Sequence, residues 1–293
     1  LSGKGGTGKT CVTAALAHHA SQSLPVALVD ADVDASNLEL LLSPQVLQQS
    51  DFMSGTSYAV IDSACTGCGR CSRVCRFGAV LPDDRNGGEK PVYRIDGLAC
   101  EGCGACFHEC PERAIEASEA LSGTIYESQT SYGPLFHARL RAGAENSGKL
   151  ISRLREMSRK AAEARSLDLI IIDGPPGIGC PVISASTGAD LAIVVTEPGV
   201  SAAADLERAL EACRHFGVET VVTINKADLS PDNADRIRCY CERAGIPLLP
   251  DIPFDPSVLE AVVLGVPIPV HAPDSPAAAA LRDLWLELGT RTI

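Results

Sequence analysis

The chain contains two runs of four cysteines that share one spacing. The first run consists of Cys65, Cys68, Cys71 and Cys75, and the second of Cys100, Cys103, Cys106 and Cys110. Both read C-x2-C-x2-C-x3-C, a spacing typical of iron–sulfur ligation, for which thiolates are suitably soft ligands. We therefore predict two 4Fe–4S clusters. Two zinc sites are the lower-ranked alternative, because zinc ribbons use paired C-x2-C units without a third cysteine soon afterwards.

A glycine-rich loop near the start of the chain predicts a nucleotide site. Residues 3–10 read G-K-G-G-T-G-K-T and precede a helix-like run. Glycines let backbone N–H groups approach phosphate oxygens, and a helix N-terminus attracts an anion. We expect Lys9 to meet the β- and γ-phosphates and the Thr10 hydroxyl to hold Mg²⁺. The predicted nucleotide contacts in this segment are Gly3, Lys4, Gly5, Gly6, Thr7, Gly8, Lys9, Thr10 and Cys11.

Short apolar runs alternate with helix-like runs over most of the chain. The predicted strands are Val26–Asp30, Leu169–Asp173, Leu191–Thr196 and Thr220–Asn225. This alternation predicts an α/β fold with a mainly parallel sheet and helices on both of its faces. The pattern breaks from about residue 62 to about residue 118, and within this stretch the two cysteine runs resemble each other as an internal repeat. We predict one domain, 1–61 and 119–293, that is interrupted by a small inserted domain, 62–118.

Composition narrows the classes of partner and the compartment. The formal net charge of −12 disfavours binding to nucleic acid or to anionic lipid. No apolar run approaches the roughly 18 residues of a membrane span. Eight of the thirteen cysteines have metal-ligand spacing, which indicates a reducing compartment more than a disulfide framework. We predict a cytoplasmic protein that has neither a nucleic-acid partner nor a membrane span.

Several motifs together resemble one family. The string K-G-G-T-G-K-T, with Lys4 ahead of Lys9, resembles the deviant phosphate loop of the MinD, ParA, Mrp and nitrogenase iron-protein superfamily. Residues 29–38, V-D-A-D-V-D-A-S-N-L, resemble its first switch, and residues 170–177, I-I-I-D-G-P-P-G, resemble its Walker B strand and second switch. The cysteine runs resemble an inserted two-cluster bacterial ferredoxin domain. One departure is Gly199, where the family usually has threonine.

This resemblance implies the roles of further residues. It implies a homodimer in which Lys4 reaches the nucleotide of the other subunit and acts in catalysis together with Lys9 and Asp32. Asp32 is expected to orient the attacking water, with Asp34 as a competitor, and Asp30 and Asp173 are expected to lie near Mg²⁺. Asn225 and Pro253 are expected to line the base. Residues 225–228, N-K-A-D, also match the guanine box of GTPases, so GTP is the alternative to ATP.

The ferredoxin resemblance implies a crossed set of cluster ligands. In two-cluster ferredoxins the fourth cysteine of each run binds the cluster of the other run. The predicted ligands of one cluster are Cys65, Cys68, Cys71 and Cys110, and those of the other are Cys100, Cys103, Cys106 and Cys75. Arg76 stands where ferredoxins often have proline. Cys180, after the second switch, is a candidate bridging ligand between subunits, although a small packed residue is the favoured interpretation.

Three functions are compatible with these motifs. We favour an ATP-gated electron-transfer protein, in which switch movement acts on the insert and a redox partner protein exchanges electrons with it. The alternative is an iron–sulfur assembly or carrier ATPase of the Mrp type that delivers clusters to an apo-acceptor protein. A positioning or partition ATPase ranks third. The tail Leu281–Leu288 is not basic overall, so we expect it to dock on its own sheet and not on a membrane.

Overall fold

The structure, a computed structural model, describes residues 1–61, 63–83, 92–97, 99–141, 144 and 148–290. The chain forms two compact units. The first comprises Leu1–Ser50, Thr124–Leu140 and Asn146–Ile293, and the second comprises Asp51–Gly123 with Arg141–Glu145. The second unit contains the predicted insert, 62–118, together with chain on both sides of it. Residue 62, where we predict the insert to begin, lies outside the described residues.

The strands form an α/β architecture, as the sequence predicts. They are β1 (Val26–Asp30), β2 (Gln45–Ile61), β3 (Val80–Asp83), β4 (Val92–Ile95), β5 (Ile115–Thr130), β6 (Gly133–Leu140), β7 (Leu169–Asp173), β8 (Leu191–Thr196) and β9 (Glu219–Ile224). One sheet has the order β2-β5-β6-β1-β7, and the pairs β8-β9 and β3-β4 form two smaller sheets. β1 runs parallel to β6 and β7, and β8 runs parallel to β9, whereas β3 and β4 are antiparallel.

The first two residues connect the large sheet to the β8-β9 pair. The Leu1 amino group donates to the Ile193 carbonyl at 2.8 Å, and the Leu1 carbonyl accepts from the Val195 N–H at 2.8 Å. Ser2 forms a parallel bridge with Pro176, which follows β7. These hydrogen bonds continue the parallel pairing from β7 to β8, so the ends of β1, β7 and β8 all lie along one edge.

Three of the predicted strands have the observed bounds, and the fourth is observed as Glu219–Ile224 instead of Thr220–Asn225. The sequence interpretation missed β2, β3, β4, β5 and β6. In β5 and β6, buried polar residues such as Ser128 and His137 interrupt the alternation that marks a strand.

Helices cover the sheets and complete the core. They are α1 (Lys9–Ala20), α2 (Leu38–Leu42), α3 (Arg70–Val74), α4 (Ala105–Glu109), α5 (Lys149–Arg165), α6 (Cys180–Ser186), α7 (Ala202–His215), α8 (Pro231–Ala244), α9 (Pro256–Leu264), α10 (Ile268–His271) and α11 (Pro276–Thr290). In α11, Leu281 and Leu284 are buried in one cluster with Val195 and Val221 of the β8-β9 pair. The tail therefore docks on its own sheet, as predicted. Among the described residues, no helix has both the length and the apolarity of a membrane span.

A buried histidine links α2 to β5 and β6. His137 of β6 has its Nε2 2.9 Å from the Ser128 hydroxyl oxygen. Its Nδ1 is 3.2 Å from the Glu39 carboxylate. Tyr126 stacks on the imidazole, and Arg139 donates to Glu39 at 2.8 Å. Burial lowers the pKa of His137, although the charge of Glu39 opposes this effect. Because Ser128 and His137 are both buried, the arrangement braces two neighbouring strands inside the sheet.

The packing of α11 makes a direct stability test possible. Leu284 has no exposed surface, whereas Leu286 of the same helix is 61% exposed. We expect Leu284→Ala to lower the free energy of unfolding by about 2–5 kcal/mol, because the substitution removes apolar contacts and leaves a cavity. Leu286→Ala is the matched control and should change it by less than about 0.5 kcal/mol. Urea unfolding followed by circular dichroism measures both, and equal effects would contradict the described packing.

Candidate functional site

The phosphate loop leads directly into α1. Gly6 and Gly8 adopt positive φ angles of 80° and 92°, a region that glycine enters without steric cost. Gly8 is the N-terminal cap of α1, and no side chain caps the first N–H groups of that helix. Thr7 Oγ1 is buried and has no hydrogen-bond partner among the residues that the structure describes. An unpaired buried hydroxyl beside uncapped N–H groups fits a site for phosphate oxygens.

Gly8 also allows a close approach by the predicted base-binding residue. A Cβ atom at position 8 would lie 2.3 Å from Asn225 Nδ2. That amide nitrogen donates to the Thr7 carbonyl at 2.8 Å, while the Asn225 side-chain oxygen accepts from the Lys226 N–H at 3.0 Å. The end of β9 is therefore held against the phosphate loop, as we expect for a residue near the nucleotide.

Two buried carboxylates lie side by side at the ends of β1 and β7. Asp30 and Asp173 are register partners in the parallel pair. Burial, and next the charge of Asp173, raise the pKa of Asp30 to about 7. Burial also raises the pKa of Asp173, against a hydrogen bond from Thr10 and another from Thr13 Oγ1 at 3.1 Å. Thr10 and Asp173 thus come together, as predicted, and their oxygens are the kind of ligand that Mg²⁺ prefers.

Asp30 has a structural task that sequence reasoning missed. Its Oδ2 accepts from the Ser36 hydroxyl at 2.7 Å and from the Leu38 N–H at 3.1 Å, and its Oδ1 accepts from the Asp32 N–H at 3.1 Å. Both oxygens therefore hold the segment that resembles the first switch. Asp30 fixes the backbone on which Asp32 stands.

The charges of Lys9 and Asp32 act on each other. Lys9 is 7% exposed; burial lowers the pKa of its ammonium group, against the charges of Asp173 and Asp32. Asp32 is half-buried; burial raises its pKa, against the charge of Lys9. Asp34, the competing residue, is exposed.

A carboxylate that the sequence interpretation did not assign to the site binds two of its lysines. Glu197 Oε1 lies 2.7 Å from Lys4 Nζ, and its Oε2 lies 3.3 Å from Lys226 Nζ. Burial acts to raise the pKa of Glu197, but the hydrogen bond from Lys4 and the charge of Lys226 outweigh it, so the pKa lies below its usual value. Its place directly after the strand β8 is the signal that could have identified it.

The predicted base-lining segment is held by Asp228. The Asp228 carboxylate accepts from the Phe254 N–H at 2.6 Å, and the Ala227 N–H donates to the Ile252 carbonyl at 3.1 Å. Pro253 lies between these two contacts. Asp228 is the residue whose carboxylate would bind guanine in a GTPase. One oxygen of that carboxylate therefore already accepts a hydrogen bond from the protein backbone.

The second unit, which contains both cysteine runs and is called the cysteine unit below, has an internal repeat in its backbone. Gly69 and Gly104 cap α3 and α4 with φ angles of 70° and 75°, and Gly67 and Gly102 have φ angles of 70° and 63°. Cys71 and Cys106 are the buried second residues of these two helices. Each helix ends one residue before the last cysteine of its run, and that cysteine is its C-terminal cap. The two runs thus have the same local structure as well as the same spacing.

Two open cavities bring the cysteines together in crossed sets. One is lined by Cys65, Cys68, Cys71 and Cys110, and the other by Cys75, Cys100, Cys103 and Cys106. All eight are free cysteines. Among the described residues, no group of His, Cys, Asp or Glu is arranged to hold a single metal ion. In a 4Fe–4S cluster each thiolate binds a different iron atom. The four cysteines of such a cluster therefore surround the whole cluster and do not converge on one metal ion.

The cavity walls suit such a cage. The Ala114 N–H donates to Cys110 Sγ at 3.3 Å, and hydrogen bonds to sulfur are among the contacts that tune iron–sulfur clusters. Burial raises the pKa of the Cys71 and Cys106 thiols, so metal coordination is what would hold them as thiolates. The donor sets fit two 4Fe–4S clusters. Cys180, the candidate bridging residue, is exposed at the start of α6, so its favoured interpretation as a small packed residue is wrong.

The chain is similar to known nucleotide-binding proteins. The family model CbiA, described as the CobQ/CobB/MinD/ParA nucleotide binding domain, matches residues 1–268. The uncharacterized protein MJ0578 of Methanocaldococcus jannaschii is 35% identical over 233 residues, which are 80% of this chain and 79% of that protein. The iron-sulfur cluster carrier protein of Pyrococcus abyssi is 30% identical over 131 residues, 41% of this chain and 44% of that protein.

Solved structures show the same fold. The cell division ATPase MinD of Pyrococcus furiosus has a TM-score of 0.60 at 22% identity, with 100% of this chain and 97% of that chain covered. The septum site-determining protein MinD of Pyrococcus horikoshii, complexed with Mg-ADP, has a TM-score of 0.59 at 21% identity and covers 98% and 93% of the two chains.

The contact between Gly8 and Asn225 gives a test of the nucleotide site. We expect Gly8→Ala to weaken ATP binding by at least about tenfold, because the new Cβ would displace Asn225 and alanine at this positive φ is strained. Gly289→Ala is the control, since a Cβ at position 289 meets no atom within 4 Å. Titration with a fluorescent ATP analogue measures both. Unchanged affinity in Gly8→Ala would contradict the described loop.

Proposed function

The chain belongs to the CobQ/CobB/MinD/ParA nucleotide-binding domain family, and from this premise we propose that it is a cytoplasmic, Mg²⁺-dependent ATPase that couples nucleotide-driven changes in a homodimer to electron transfer through two 4Fe–4S clusters. One observation carries the proposal: two cavities are each lined by four cysteines, three from one run and one from the other. Two-cluster ferredoxin ligation requires this crossed arrangement.

In the proposed reaction, ATP and water give ADP and phosphate. Lys9 binds the β- and γ-phosphate oxygens, and Thr10 and Asp173 hold Mg²⁺. Asp32 orients the attacking water. Asp30 positions Asp32 by accepting its backbone N–H. Each of these residues lies at the edge where the parallel strands end, which is where ligands of open α/β sheets bind.

The proposed nucleotide is ATP. Asn225 and Pro253 line the base, and the deviant phosphate loop favours adenine over guanine. The geometry of Asp228 supports this choice, because its carboxylate accepts from the Phe254 N–H and a guanine reader needs that carboxylate for the base.

The proposed homodimer would form across the face that contains Lys4. The Lys4 side chain is 35% exposed. Two apolar side chains near the phosphate site are also exposed, Val200 at 98% and Ile178 at 46%. Exposed apolar residues beside a nucleotide site suit a surface that a second subunit covers. In that dimer Lys4 would reach the nucleotide of the other subunit.

The clusters, when bound, supply one-electron chemistry. The chain contributes eight thiolates, the hydrogen bond from the Ala114 N–H to Cys110 Sγ, and partial exclusion of water around the buried Cys71 and Cys106. Burial and hydrogen bonds to sulfur are the means by which a protein sets a cluster potential. A redox partner protein would exchange electrons at this unit.

The second candidate function is an iron–sulfur carrier ATPase that delivers clusters to an apo-acceptor protein. Partial similarity to the carrier protein of Pyrococcus abyssi favours it. We rank it lower because each cavity has one deeply buried ligand, Cys71 or Cys106, which favours firm retention. Transfer of iron from the loaded protein to an apo-ferredoxin within minutes would reverse this ranking.

The crossed ligation predicts how paired cysteine substitutions combine. Cys75→Ser with Cys106→Ser removes two ligands of one cluster, so about half of the iron and sulfide should remain. Cys75→Ser with Cys71→Ser removes a ligand from each cluster, so nearly all of it should be lost. Cys239→Ser, outside the runs, is the control. Anaerobic iron and sulfide analysis measures all three; the reverse order for the two double variants would mean that each run binds its own cluster.

The proposed coupling predicts that the bound nucleotide changes the midpoint potential of a cluster. We expect Mg²⁺ and ATP to shift a cluster midpoint potential, relative to ADP, by on the order of 60 mV, a tenfold change in a one-electron equilibrium. Redox titration followed by EPR measures it. Lys9→Ala is the matched control, which should keep its iron and lose the response. Identical potentials and identical electron-transfer rates in all nucleotide states would refute electron-transfer coupling.

A further inference from the structure

Glu197 occupies a position between the two lysines of the nucleotide site that are partly exposed. Each of its oxygens has its own partner, Lys4 Nζ at 2.7 Å and Lys226 Nζ at 3.3 Å. Lys226 Nζ also lies 3.5 Å from the Gly6 carbonyl of the phosphate loop. One carboxylate therefore connects the end of β8 to the phosphate loop and to the base-binding segment.

Gly199 leaves room for this contact. A Cβ atom at position 199 would lie 3.3 Å from Lys4 Nζ, which is tighter than ordinary van der Waals contact. A threonine there would add two more heavy atoms beside the ammonium group. The glycine that departs from the family pattern thus leaves the most room beside Lys4, whose ammonium group would have to shift by a few tenths of an ångström for a larger residue.

We propose that Glu197 is a positioning residue that holds Lys4 within its own subunit, and that Lys4 must leave Glu197 to act across the dimer. This inference rests on the proposed function and specifies how its dimerisation is controlled. Lys4 Nζ lies 2.7 Å from Glu197 within its own subunit, so reaching the phosphates of a second subunit would draw the ammonium group away from this carboxylate, and the two contacts compete.

The second lysine, Lys226, lowers the free-energy cost of releasing Lys4 from Glu197. After Lys4 leaves, Lys226 still contacts the carboxylate, so Glu197 is not left as an unpaired charge. The Glu197–Lys4 pair is also partly exposed, at 24% and 35% for the two side chains, and such pairs are weak. The contact is therefore strong enough to bias Lys4 and weak enough for a nucleotide to displace it.

The test compares two substitutions that act on Lys4 by different means. Glu197→Gln removes the charge that holds the lysine, and Gly199→Thr removes the space that it occupies. Glu207→Gln, an exposed carboxylate of α7, is the matched control. Sedimentation velocity with Mg²⁺ and the non-hydrolysable analogue AMP-PNP measures dimerisation. The affinity of the monomer for the same analogue is measured in parallel, so that an effect through Lys226 is recognised.

Both substitutions should increase the dimerisation constant. Each dimer releases two Glu197–Lys4 pairs, so the expected increase is roughly two- to thirtyfold. The double variant should gain no more than the stronger single variant, because both release the same lysine. Dimerisation equal to or weaker than that of the wild type in Glu197→Gln and Gly199→Thr, or a change confined to monomer affinity, would overturn the inference. A wild-type chain that binds the analogue and stays monomeric would contradict the proposed homodimer as well.

Discussion

The buried pair Asp30–Asp173 is the constraint on which the nucleotide half of the molecule depends. The two carboxylates lie side by side at buried strand ends, where burial and mutual repulsion disfavour their ionised forms. Hydrogen-bond donors from the surrounding chain offset part of this effect. Thr10 and Thr13 donate from α1, and Ser36 and the Leu38 N–H donate from the segment after β1. One electrostatic requirement thus fixes a helix, two strands and a switch segment around a single point.

Much of this arrangement could be predicted from the sequence. The strands ending at Asp30 and Asp173 are continuous apolar runs, and such runs need no tertiary partner to be recognised. The phosphate loop is equally local, since glycine spacing and the adjacent lysine and threonine are contiguous. The repeated spacing of the cysteines indicated two clusters, while the crossing of the fourth ligands came from the resemblance to ferredoxins and not from spacing.

The features that were missed depend on distant partners. β6 includes His137 and Arg139, which interrupt its apolar pattern, and both lie within ion-pair distance of Glu39 from α2. Glu197 looks like an ordinary acid after a strand until Lys4 and Lys226 are seen beside it. The three hydrogen bonds that the two oxygens of Asp30 accept depend likewise on residues whose positions only the folded chain reveals. Long-range polar pairs leave no periodic signal in a sequence.

The position of the cysteine unit in the strand order has an evolutionary consequence. The chain leaves the first unit within β2 and re-enters it within β5, and these two strands are neighbours in the sheet. In topological terms the unit is an enlarged connection between adjacent strands. A gene can therefore gain, lose or exchange such a module without reordering β1, β7 and β8, whose ends carry the acids of the nucleotide site. The chemistry of the cysteine runs and that of the nucleotide site can in this way be selected as separate traits within one polypeptide.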